Sequence, residues 1–261
     1  MSYFLIIFLL WVFGYILIYF FQEKFIFNPG MIKISDEIAN ELKQYSLTFK
    51  VDNINVRGWF RKGKGKNLLI YYGGNGENIT PHFKKFLSLT DLSILFLNYR
   101  GYFNSDGVPS EKNFFNDALT ILDIFSKEYN YQKEDILLMG RSIGTAVACF
   151  VASHRPIRAL ILSTPIDSIV SISQQLVPIY PMKLILKHKF DNIKISLKVS
   201  MPTLVLLAGV DKKVPLKNSL KLISSLPNIV NVVNVENYTH RTIKDSPLYW
   251  QEIYNFVNNM I

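Results

Sequence analysis

The chain has 261 residues, of which 49% are hydrophobic and 19% charged, enough for one large α/β domain with a sizeable core. Its formal charge of +9 is scattered, apart from one tight group at Arg61, Lys62, Lys64 and Lys66, so the sequence lacks the basic block of a nucleic-acid-binding protein. Cys149 is the single cysteine, which excludes an intrachain disulfide, and within "TAVACFVAS" it reads as a small core residue.

The first element is "YFLIIFLLWVFGYILIYFF", Tyr3 to Phe21, which carries no charge. As a helix it extends about 28 Å, close to the hydrocarbon thickness of a bilayer. A cleavable signal peptide fits poorly, because no basic residue precedes the apolar run and bulky aromatics lead into "QEKFIFNPG". The expected organisation is an uncleaved single-pass membrane anchor over residues 1–24 and one domain over 25–261. Lys24, Lys33 and Lys43 favour a cytoplasmic position for that domain, although large domains also translocate against such charges.

Next, "SLTFKV" and "INVRGWF" flank Asp52-Asn53 and read as an antiparallel hairpin, followed by a turn at "RKGKGK". From Asn67 onward buried-type strands alternate with helical patterns. The strands are "NLLIYYG", "SILFLNY", "DILLMG", "RALILS", "TLVLLAG" and "VNVVNV". The helices fall near Pro81 to Leu89, from Ser110 to Glu128, from Gly144, from Leu216 to Leu226 and from Pro247. Such alternation predicts an α/β fold with a mostly parallel sheet and helices on both faces. An insertion at about 167–190, "DSIVSISQQLVPIYPMKLILKHKF", interrupts it and is either core or a lid.

"DILLMGRSIGTAVACF" places Gly140-Arg141-Ser142-Ile143-Gly144 between a strand and a helix, the context of a nucleophile elbow. A serine hydroxyl attacks a carbonyl only with an imidazole to take its proton and a carboxylate to orient that imidazole. On such a fold the order is serine, acid, histidine. His154 follows Ser142 with no acid between them, and His188 lies in the insertion, whereas His240 follows the last strand and Asp211 ends the strand before it. Ser142, Asp211 and His240 are therefore the expected triad, with Asp167 as the alternative acid. An oxyanion needs donors, expected from the amide of Ile143 and from Asn75 in the loop "GGNGEN". That loop lacks the pattern of a nucleotide-phosphate cradle.

These residues resemble the α/β-hydrolase superfamily, in a branch similar to prolyl-oligopeptidase-like esterases. The resemblance runs from about Phe25 to the C-terminus and is strongest in "NYRGYFNSDGVPSE", Asn98 to Glu111, where the family commonly carries Asp-Tyr-Arg-Gly-Tyr-Gly-x-Ser-x-Gly-x-Pro-Ser-Glu. The segments "GRSIGTAVA", "MPTLVLLAGVDKKVP" and "NYTHRTI" resemble its elbow, acid and histidine blocks. Gly73 stands where the family usually has His, Asn98 where it has Asp, and Phe103 where it has Gly. The resemblance implies a membrane-anchored serine hydrolase acting on a small-molecule or lipid ester or thioester, with no metal or organic cofactor and no nucleic-acid partner. The alternative is a noncatalytic binding or scaffolding protein that keeps the fold.

Overall fold

The computed structural model describes residues 2–29 and 34–261. Lys33, one of the flanking charges, lies outside the described residues. Helix α1 (Ser2–Ile26) contains a 24-residue stretch, Tyr3–Ile26, with an 18-residue window of mean hydropathy 2.6, long and apolar enough to cross a membrane by length and composition. It extends past the expected boundary at residue 24, and Ile26 and Phe27 are buried in the domain core. A short helix α2 (Asp36–Leu42), not anticipated from the sequence, starts where the Ser35 hydroxyl accepts from the Ile38 amide and buries Leu42.

Strands β1 (Ser46–Val51) and β2 (Ile54–Arg61) form the expected antiparallel hairpin. Asp52 and Asn53 both take positive φ, +48° and +62°, the backbone that matches a tight turn to strand twist. There follow β3 (Leu68–Tyr72), α3 (Thr80–Phe86), β4 (Ser93–Leu97), α4 (Glu111–Tyr129), β5 (Ile136–Arg141), α5 (Ile143–His154) and β6 (Ala159–Ser163). The insertion contains α6 (Ile169–Leu176) and α7 (Met182–Ile185) and leads to α8 (Asn192–Ser196). The chain continues through β7 (Thr203–Ala208), α9 (Leu216–Ile223), β8 (Ile229–Val235) and α10 (Pro247–Met260).

The eight-stranded sheet has the order β1-β2-β4-β3-β5-β6-β7-β8, and every pairing from β4 to β8 is parallel. Alternate residues serve opposite faces, as the strand period requires. Leu68, Ile70 and Tyr72 join the cluster that packs α4 and α5, including Phe114, Ile121, Ala146 and Val147. Leu69 and Tyr71 join the opposite cluster, with Phe83 and Phe86 of α3 and Tyr249, Ile253 and Val257 of α10. The central strands are buried on both faces, which is why they read as continuous apolar runs. Helix α4 is bounded by its residues: the Ser110 hydroxyl accepts from the Asn113 amide at 3.0 Å, and Asn130 ends it in the left-handed region at φ +56°.

Candidate active site

Ser142 sits between β5 and α5 with φ +55° and ψ −123°, a backbone that L-residues rarely adopt and that projects the side chain out of the strand-to-helix turn. Two neighbours make that turn possible. A Cβ at Gly140 would stand 2.4 Å from the Gly144 carbonyl oxygen, and one at Gly144 would stand 2.1 Å from the Tyr72 carbonyl oxygen. Both obstacles are backbone, so both positions require glycine. The Ser142 amide donates to the Ser163 carbonyl at 2.9 Å, extending the β5–β6 ladder into the turn.

Asp211 lies just beyond β7 and His240 in the loop after β8. His240 Nδ1 and Asp211 Oδ2 are 2.7 Å apart, with side chains only 8% and 5% exposed. The other carboxylate oxygen accepts from the amides of Lys213 and Val214, both at 2.8 Å. A carboxylate held by these donors accepts a hydrogen bond from Nδ1–H, the tautomer that leaves Nε2 with its lone pair. Among the described residues, Ser142 Oγ forms no hydrogen bond to His240. Asp167, the alternative acid, turns elsewhere: its Oδ1 accepts from Asn218 Nδ2 at 2.9 Å and from the Ser168 amide at 2.7 Å.

The loop Gly73 to Asn78 leaves β3 beside the elbow. Asn75 contributes more than backbone here, because its side-chain oxygen accepts from Tyr102 Oη at 2.6 Å and from the Asn28 amide at 2.8 Å. The loop is thereby tied to the chain leaving α1 and to the "NYRGYF" segment. Ile143 opens α5, so its amide is one of the donors that a helix start leaves without an intrahelical partner.

The three departures from the family pattern have structural counterparts. A Cβ at Gly73 would stand 2.6 Å from Ile79 Cγ2, so Ile79 occupies the space a larger side chain would need. Phe103 takes φ +50°, the left-handed conformation that a glycine there adopts without cost, and its ring lies 6.0 Å from that of Trp59. Asn98 is buried with its side-chain Nδ2 unpaired among the described residues, and its main-chain carbonyl accepts from Ser105 Oγ at 3.1 Å.

Sequence reasoning missed the charged residues beneath the site. Glu77 Oε2 lies 3.2 Å from Arg141 Nη1 and accepts the Gly74 amide at 2.5 Å, while Oε1 accepts Tyr71 Oη at 3.0 Å. His82 Nδ1 lies 3.3 Å from the same Oε1, and its side chain is fully buried. Arg141 Nη2 donates to the main-chain carbonyl of His240. Burial opposes the charge of Glu77, but Arg141, His82 and the Gly74 amide outweigh it and hold the carboxyl below the usual glutamate range. Burial pushes His82 down to about 4 despite Glu77, so its imidazole is neutral at pH 7. The available signal was two charges in unexpected places: Arg141 at the end of an apolar strand and Glu77 in a glycine loop.

No protein-family model matches the sequence. The chain is 28% identical over 194 residues to an uncharacterised protein of Mycobacterium tuberculosis, covering 72% of this chain and 69% of that one. It is 26% identical over 196 residues to the mouse α/β hydrolase domain-containing protein 17C, covering 73% of this chain and 59% of the mouse protein. The structure superposes on the Pyrococcus furiosus esterase Pf2001 with a TM-score of 0.71 and 16% identity, covering 90% of this chain and all of that one. Sheet order, the turn at Ser142 and these likenesses agree: the chain has the α/β-hydrolase fold.

Proposed function

We propose that the protein is a membrane-anchored serine hydrolase that cleaves carboxylic ester or thioester bonds through an acyl-Ser142 intermediate. The observation that carries this reading is the buried Asp211–His240 hydrogen bond of 2.7 Å, held at the same sheet edge as the strained turn at Ser142. His240 Nε2 takes the Ser142 proton as Oγ attacks the substrate carbonyl. The resulting oxyanion is met by the amides of Ile143 and Asn75. Collapse of the tetrahedral intermediate breaks the bond to the leaving alcohol or thiol, which receives the proton from His240. Water then surrenders a proton to His240, attacks the acyl carbon and releases the carboxylic acid, restoring the Ser142 hydroxyl. Asp211 holds the imidazole in the required tautomer throughout.

The anchor is part of the same reading. Gln22, 2% exposed, donates to the Ile185 carbonyl at 3.2 Å and accepts the Lys187 amide at 2.6 Å, so α1 is bonded to the domain rather than trailing from it. Those contacts support retention of the helix after membrane insertion. The esterase named above supports small ester substrates as the first class to assay.

The test is covalent labelling by a fluorophosphonate together with hydrolysis of short p-nitrophenyl esters. Wild type labels and turns over, and Ser142→Ala does neither. Labelling that survives Ser142→Ala overturns the nucleophile assignment. A noncatalytic binding module on the same fold is favoured by the missing Ser142–His240 hydrogen bond, and it predicts that wild type itself neither labels nor hydrolyses.

A further inference from the structure

The insertion forms a cap rooted beside the elbow, where the Ile166 amide donates to Thr145 Oγ1 at 3.3 Å. Its far end is unusual for a surface loop. Leu176, Ile179 and Leu184 are 74%, 66% and 76% exposed, with Pro178 and Pro181 exposed between them. This apolar tip runs alongside α1 rather than away from it. Trp11 Nε1 donates to the Ile179 carbonyl at 3.2 Å, and the Trp11 and Tyr180 rings stack at 5.4 Å. A Cβ on Gly14 would stand 2.0 Å from Tyr180 Oη, so the helix is notched where Tyr180 lies against it. Lower down, Gln22 bonds both Ile185 and Lys187. From Gln22 to Trp11 the seam climbs about 16 Å of helix rise, half the thickness of a hydrocarbon core.

Much of the tip's main chain is paired within the protein, with the amides of Ile179 and Lys183 among the exceptions. Pro178 and Pro181 carry no N–H group. Gln174 accepts the Met182 amide at 3.1 Å through its oxygen and donates to the Pro178 carbonyl at 3.0 Å through its nitrogen. The Pro181 carbonyl accepts from Leu184 at 2.9 Å, and Trp11 covers that of Ile179. Such internal pairing is what lipid demands of any backbone it surrounds. Lys183, Lys187 and Lys189 are exposed around the tip, placed to reach anionic headgroups from an apolar base.

We propose that the cap tip, Leu176 to Leu184, is a second membrane-contacting surface that enters the bilayer beside α1. The occupant of this apolar surface is the lipid itself. The inference rests on the reading of α1 as an anchor, and the experiment separates the two. Full-length Leu184→Cys and Ile179→Cys variants are labelled with a polarity-sensitive fluorophore and reconstituted into phosphatidylcholine/phosphatidylglycerol vesicles. Cys149 is buried, and wild type serves as the labelling blank. Leu9→Cys on α1 and Lys133→Cys near the start of β5 are the reference sites.

Labels at 184 and 179 are expected to emit to the blue of that at 133, to lose emission to lipids with acyl-chain nitroxides and to resist aqueous iodide. If they respond to iodide as 133 does while the label at 9 is quenched by lipid, the anchor stands and the cap inference fails. If the label at 9 also responds only to iodide, both fail. Fluorophosphonate labelling or, where wild type does not label, the circular dichroism spectrum verifies that each variant is folded.

Discussion

Arg141 donates a hydrogen bond to the main-chain carbonyl of His240, so the residue before the candidate nucleophile holds the loop that carries the candidate base. The same guanidinium meets Glu77, whose carboxylate also fixes the Gly74 amide. One buried ion pair thus ties the elbow to the loop after β3 and the loop after β8. Removing one member of such a pair strands the other charge in the core and costs about 3–5 kcal/mol. Glu77→Leu and Arg141→Met are each expected to lose stability on that scale. The double variant should recover part of the loss, because no lone charge remains. Denaturant unfolding of the four proteins in detergent checks this, and additive losses would refute the coupling.

Acid should weaken the fold through the same cluster. The folded-state value of His82 is about 4 against an ordinary 6.5, so between those pH values the unfolded chain binds the proton and the folded chain does not. Its contribution is complete above pH 6.5 and is lost as pH falls towards 4, on the order of 3 kcal/mol. Glu77, held below its ordinary range, acts in the same direction at lower pH: its contribution is present above the unfolded value and lost as pH falls through the folded one. Unfolding midpoints measured from pH 7.5 to 4.5 should fall. The His82→Phe variant should show a shallower dependence, and an unchanged slope would remove His82 from the account.

Asp211→Asn should leave the fold intact and lower kcat/KM for a p-nitrophenyl ester by about four orders of magnitude. The substituted amide can donate to Nδ1, which favours the tautomer with Nε2 protonated and unable to accept the serine proton. Asp167→Asn is the control. Asp167 bonds Asn218 and the Ser168 amide, so its replacement should change the rate far less. A larger loss at 167 than at 211 would reverse the assignment of the acid.

Sheet architecture was legible because burial on both faces writes itself as unbroken apolar strands, and the longest crossover helix, α4, is marked by its caps Ser110 and Asn130. The short helices α2 and α8 were not, since seven and five residues give too little periodicity to separate a helix from a turn without a proline at the start such as Pro81 gives the equally short α3. Ser142, Asp211 and His240 could be singled out as candidates because each follows a strand in the order the chemistry demands. Glu77, Arg141 and His82 could not. Arg141 is distant in the chain from Glu77 and His82, and nothing local to Glu77 shows that a guanidinium from a different strand end will neutralise it.

The glycines of the elbow and its neighbouring loop give the last prediction, because their surroundings differ in kind. Gly144→Ala would drive a methyl group to 2.1 Å from the Tyr72 carbonyl oxygen, where only a backbone shift between α5 and β3 relieves the clash. Overpacking of this sort costs about 1–3 kcal/mol, and the shift moves Ile143 and Ser142 with it. Stability and labelling should both fall. A Cβ at Gly74 instead meets Glu77 Oε2 at 3.2 Å, Arg141 Nη1 at 3.3 Å and Ser142 Cβ at 3.4 Å. These are side-chain atoms that can yield by tenths of an ångström, so Gly74→Ala should keep most of its stability, within about 1 kcal/mol. Its added methyl presses on Ser142 and the Arg141–Glu77 pair, so turnover should drop while the melting midpoint barely moves. Equal losses of stability in the two variants would mean that the Gly74 loop is as rigid as the elbow itself.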